Sequence, residues 1–137
     1  MGRRRAAGLL LISALALHNL EEGLAYSLMR GRVAAMLHHL GLGWWSPAPE
    51  MFALVLTLLT LSVGALVGWA ATGATSGIKI GVLRAVAALL LINVALPHLP
   101  AAAVLGGYAP GVLTSLLVNL PVSLWVLYRL RESAQPG

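Results

Sequence analysis

Long apolar runs separated by short Gly-, Pro- and Ser-rich breaks set the layout of this 137-residue chain. About 20 apolar residues are needed to cross the hydrocarbon core of a bilayer as a helix. Four stretches reach that length, at about residues 6–29, 51–71, 82–104 and 112–130. Between the first two, Val33, Met36, Leu37 and Leu40 fall at i, i+3, i+4 and i+7, one face of a short amphipathic helix. Trp44 and Trp45 follow, then Pro47 and Pro49, and tryptophan favours the headgroup level. The pattern predicts a short amphipathic helix and turn lying on the membrane surface. Thr72 to Gly81 reads as a loop, and Gly106, Gly107, Pro110 and Gly111 as a tight turn. The expected fold is an all-α, integral membrane four-helix bundle, built as a single transmembrane domain over residues 1–137.

Composition agrees with this layout. The chain is 59% apolar and only 9% charged, against roughly 25% charged in a soluble domain. Its mean hydropathy is +0.88. A net charge of +5 does not argue for nucleic acid here, because the basic residues cluster at the ends of the apolar runs. With four spans both termini share one side, together with Arg3, Arg4, Arg5, Lys79, Arg84, Arg129 and Arg131, whereas Arg30 and Arg32 lie opposite. The positive-inside rule then makes both termini cytoplasmic, in a multi-pass membrane protein. Arg3–Arg5, the apolar run after it and the Ala14-Leu15-Ala16 triplet share features with a cleavable signal. Apolar character resumes past the triplet, which favours an uncleaved first span. The absence of cysteine excludes disulfides, thiolate metal sites and cysteine nucleophiles. There is no nucleotide loop, dinucleotide fingerprint or Gly-x-Ser-x-Gly elbow.

The first span carries an anomaly. The chain has four acidic residues, and two of them, Glu21 and Glu22, stand inside an apolar run three and four residues after His18. Ionisable groups within a span are costly and by default mark a functional site. At about 1.5 Å per residue from the cytoplasmic end, His18 lies at roughly 18 Å and Glu22 at roughly 24 Å. Counting the other spans the same way puts Asn93 at about 17 Å, His98 at about 24 Å, Asn119 at about 15 Å, and Thr57 and Thr60 at about 21 and 17 Å. The strongly polar residues of four helices thus share one layer, which predicts one shared site. Glu21 and Glu22 flank His18 in helical projection, and Tyr26, one turn on, is placed to hydrogen-bond Glu22. Asn19 points elsewhere, toward a neighbouring helix.

His18-Asn19-Leu20-Glu21-Glu22, with Asn93 and His98 in a later span, resembles a family of small bacterial membrane proteins named for its HxxEE motif. That family has no settled activity, although an enzymatic role has been suspected. The resemblance covers nearly the whole chain and implies that these positions belong together, in a multi-pass protein of the bacterial cytoplasmic (inner) membrane. The residues themselves offer three chemistries. One is a single divalent metal, zinc or non-haem iron, held by His18, His98 and one or both of Glu21 and Glu22, with Asn93, Asn119, Tyr26, Thr57 and Thr60 placing ligands or substrate. A second is metal-free acid–base catalysis by the same Glu and His residues, as in an isomerase or cyclase of a lipid or terpenoid-like substrate. A third is a proton-linked or metal-ion carrier, for which four spans are few unless copies assemble. The favoured reading is a membrane enzyme, metal-dependent, acting on a lipid-soluble small molecule. Its expected partners are membrane lipids and that molecule, with no nucleic acid and with room for a homo-oligomer.

Overall fold

The computed structural model describes residues 2–131. It is all-helical among those residues, with four helices. These are α1 (Arg3–His39), α2 (Pro49–Ala71), α3 (Gly77–Val104) and α4 (Val112–Arg131). The last three are long and apolar enough to cross a membrane. The first is long enough at 37 residues, but His18, Asn19, Glu21 and Glu22 lower its apolar character.

One expectation needs correction. The amphipathic stretch after Met29 is not a separate surface helix but the last turns of α1, which runs unbroken to His39. Gly31 is the one weak helix former there, and a single internal glycine costs only about 1 kcal/mol against alanine. The chain breaks later, where Gly41 takes a φ of +72° and Trp44 to Pro47 leave the helix. The loop after α2 is also shorter than expected. Ser76 caps α3 by accepting the Lys79 N–H at 3.3 Å, so the helix begins at Gly77 and Lys79 lies on it.

Two apolar clusters fill the interior. Ala7, Leu11 and Leu15 of α1 pack with Val67, Ala70, Leu83, Leu90, Val126 and Leu130 at one end of the bundle. At the other end Tyr26 and Val33 pack with Ala102, Leu105, Ala109 and Val112. Side chains tie loops to α1 at each end: Arg4 donates to the carbonyls of Gly73 and Ala74, and Arg32 to that of Leu105. The polar residues of α1 lie between the two clusters.

Two of the helices are irregular at this level. Residues 94–98 of α3 form a wide turn containing Pro97, with Leu96 non-helical at φ −140° and ψ 122°. Residues 115–119 of α4 form a second wide turn. Proline removes a backbone donor and its ring displaces the preceding turn, which accounts for the first. Single wide turns like the second are frequent at functional sites.

Candidate metal centre

His18 is buried in the middle of α1, and Glu22 follows one turn later on the same face. In a regular helix, residues five apart point about 140° away from each other at 100° per residue. The wide turn of α3 removes that divergence and brings Asn93 and His98 to one side. Asn93 Nδ2 lies 3.0 Å from His18 Nε2 and 3.1 Å from His98 Nε2. The two imidazoles meet edge to face with centroids 4.8 Å apart. Glu22 Oε2 is 3.5 Å from His18 Nε2.

The neighbours of each ring fix where its proton sits. Thr114 Oγ1–H donates to Glu21 Oε2 at 2.5 Å, which uses its one proton. Thr114 Oγ1, 3.0 Å from His18 Nδ1, therefore accepts, and His18 carries its hydrogen on Nδ1. His98 Nδ1 lies 2.8 Å from the Pro110 carbonyl, a pure acceptor, so His98 too is protonated at Nδ1. Both Nε2 atoms consequently present lone pairs to the space beside Glu22. Ligand histidines in metal sites are held in this manner, with the far nitrogen donating to a carbonyl or other acceptor. One ligand atom each from His18, Glu22 and His98 lie within 4.8 Å of one another, a group able to hold a metal ion.

Glu21 is not in that group. It turns to the start of α4 and accepts from the Thr114 N–H at 2.8 Å, the Thr114 hydroxyl, and the Tyr108 hydroxyl at 2.7 Å. The first N–H groups of a helix lack intrahelical partners and attract negative charge. Glu21 thus caps α4 from another helix, which explains how adjacent carboxylates coexist here. Partial burial and the Glu21 carboxylate push the Tyr108 phenol, in the loop before α4, up to about 12.

The remaining expected residues divide. Tyr26 donates to the Pro47 carbonyl at 2.8 Å instead of to Glu22, holding the loop after α1. Asn19 points to α2, where its Nδ2 donates to Thr60 Oγ1 at 2.7 Å and to the Leu56 carbonyl. Thr57 donates to the Ala53 carbonyl of its own helix and is exposed. Asn119 is fully buried on α4, and neither its side-chain atoms nor Ser123 Oγ make a hydrogen bond among the described residues.

Thr114, Tyr108, Pro110 and Gly111 escaped sequence reasoning. The only hint was the turn formed by residues 106–111, which follows His98 closely enough to fold back over it. At Gly111, φ is +80° and an added Cβ would stand 2.6 Å from His98 Cε1 and 2.8 Å from His18 Cε1. The bare backbone is pressed against both rings.

An apolar cavity of about 260 Å³ adjoins the group, lined by Glu22, His98 and Pro110 together with Tyr26, Trp45 and Phe52 among others. A larger groove of about 510 Å³ between α1 and α2 includes Asn19, Thr57 and Thr60 but none of the three possible ligands.

Comparison with known proteins places these residues in a family. The model for proteins of unknown function with an HXXEE motif matches residues 9–126. The chain belongs to that family. It is also similar to the uncharacterized protein YrkK of Bacillus subtilis (strain 168), 49% identical over 41 residues, 30% of this chain. The match spans 26% of that relative's length. No solved structure matches. Within the HXXEE motif, His18 and Glu22 face the centre and Glu21 holds the helix opposite.

Proposed function

We propose that this HXXEE protein is an integral membrane enzyme with one divalent metal, held by His18, Glu22 and His98, acting on a lipid-soluble substrate. The observation that carries the reading is the convergence of two Nε2 lone pairs and one carboxylate beside an apolar cavity that Glu22 and His98 help to line. Two histidines and a carboxylate suit zinc and non-haem iron alike. When bound, such an ion supplies a Lewis acid for a substrate oxygen or an activated water. The protein's part is to fix the imidazole tautomers through Thr114 and Pro110 and to seat an apolar molecule against Tyr26, Trp45 and Phe52. Four spans with both termini cytoplasmic, in the bacterial inner membrane, suit the distribution of basic residues.

Elemental analysis of detergent-purified protein tests the reading. One metal per chain is expected in the wild type, with loss in His18→Ala, His98→Ala and Glu22→Gln. Wild-type protein that contains no metal and takes none up sinks it and returns the acid–base reading. Ion or proton flux in proteoliposomes, abolished by Glu22→Gln, points to the carrier instead.

A further inference from the structure

We propose that Asn93 is a fourth protein ligand of this centre, presenting Oδ1 to the ion by a half-turn of its side-chain amide. The inference rests on the metal reading of His18, Glu22 and His98. Bonds of about 2.0–2.1 Å put neighbouring donor atoms roughly 2.9 Å apart at a right angle and about 3.4 Å apart at the tetrahedral angle. Asn93 Nδ2 stands 3.0 and 3.1 Å from the two Nε2 atoms, and Glu22 Oε2 stands 3.5 Å from that of His18. Such separations are those of N–H···N hydrogen bonds and also of neighbouring donor atoms around one ion. The end of the Asn93 side chain can take one corner of a coordination sphere whose other ligand atoms lie within 4.8 Å of one another.

The two ends of a carboxamide are nearly the same size but electrically opposite, one donating and one accepting. Without a cation, both Nε2 lone pairs require a donor, and the NH₂ end meets both at once. With those lone pairs on a cation, the NH₂ end would face positive charge. Turning the amide exchanges it for an oxygen at the same corner, and the torsion involved is broad and roughly two-fold. Glu22 supplies the negative charge of the set, and Asn93 supplies a neutral oxygen. The same atoms thus satisfy the buried nitrogens when the ion is absent and complete the ligand set when it is present.

Titration of metal-stripped protein with Co²⁺, followed by visible absorption, tests this. Asn93→Ala is expected to weaken binding about 10- to 100-fold, the range known for the weaker case of outer-shell partners. Asn93→Asp is expected to bind at least as tightly as the wild type, because it keeps an oxygen at that corner. If Asn93 serves only as a donor that orients the histidines, Asn93→Asp binds no better than Asn93→Ala, and the assignment falls. The wild type can be read without any substitution. In protein labelled with ¹³C-asparagine, Zn²⁺ is expected to lower the infrared carbonyl frequency of one asparagine, and an unchanged band in metal-loaded protein overturns the proposal. Equal Co²⁺ affinity in wild type and Asn93→Ala removes the ligand assignment alone. A wild type that binds no Co²⁺ removes the metal reading beneath it.

Discussion

Glu21 and Glu22 are neighbours in the chain with separate tasks, and the hydroxyl of Thr114 joins them. It donates to Glu21 and accepts from His18, so one side chain both holds the carboxylate that caps α4 and sets the tautomer of His18. Thr114→Val removes both bonds and leaves a buried Nδ1–H without a good partner, a loss of about 1–3 kcal/mol. Thermal unfolding in detergent should show that decrease, with Thr114→Ser close to the wild type; an undisturbed Thr114→Val would mean that Ser115, 3.4 Å from Nδ1, suffices. Gly111 supplies a second residue-level test. Gly106 and Gly111 share a φ of +80°, but a Cβ at Gly106 meets nothing within 4 Å. Both Gly→Ala variants should therefore carry backbone strain of about 1–3 kcal/mol. Only Gly111→Ala should also separate the imidazoles and lower metal content, so equal metal in the two variants would refute the role given to the Gly111 backbone.

At the level of elements, the sequence displayed some features plainly and concealed others for physical reasons. The shared level of His18, Asn93 and His98 along the bundle was legible because helical rise is constant and the basic residues mark where the apolar runs end. That these three meet follows from their shared level together with the kink at Pro97. The direction of Glu21 was not legible, since it depends on which helix start lies opposite, a tertiary fact. Nor was the length of α1, because an amphipathic stretch continues a preceding helix whenever no strong breaker intervenes. Close packing of α1 on α2 is similarly local: a Cβ on Gly8 would stand 2.5 Å from Ala71 Cβ. Gly8→Leu should force the two helices apart at that end and destabilise the bundle by about 1–3 kcal/mol, as overpacking does. The same substitution at Gly64, with nothing within 4 Å, should leave the unfolding temperature within a degree or two. Equal stability of the two variants would show that α1 and α2 do not rely on this contact.

For the molecule as a whole, the decisive surface is that of α2. It buries Leu56, Val67, Ala70 and Ala71 and leaves Leu54, Leu58 and Leu61 more than half exposed. Soluble monomers rarely show contiguous apolar surface beyond a few hundred Å². On a helix this apolar, such exposure fits contact with lipid, and α3 and α4 likewise expose Leu89 and Leu117. The ties of Arg4 to the loop after α2 and of Arg32 to the loop after α3 then put those two loops at opposite ends of the bundle. If α1 crosses with the other three, these ends lie on opposite sides of the membrane, with the group at His18 between them. The lack of native cysteine makes this directly measurable. Single cysteines at the exposed positions Ala74 and Leu42 should react with an impermeant maleimide from opposite sides of the cytoplasmic membrane. In intact spheroplasts Leu42→Cys should label and Ala74→Cys should label only after lysis. Labelling of both before lysis would show that α2, which joins the two positions, does not cross, and α1, packed along it at Gly8 and Ala71, would then not cross either, which would move the His18 group out of the hydrocarbon and weaken the case for a substrate drawn from it.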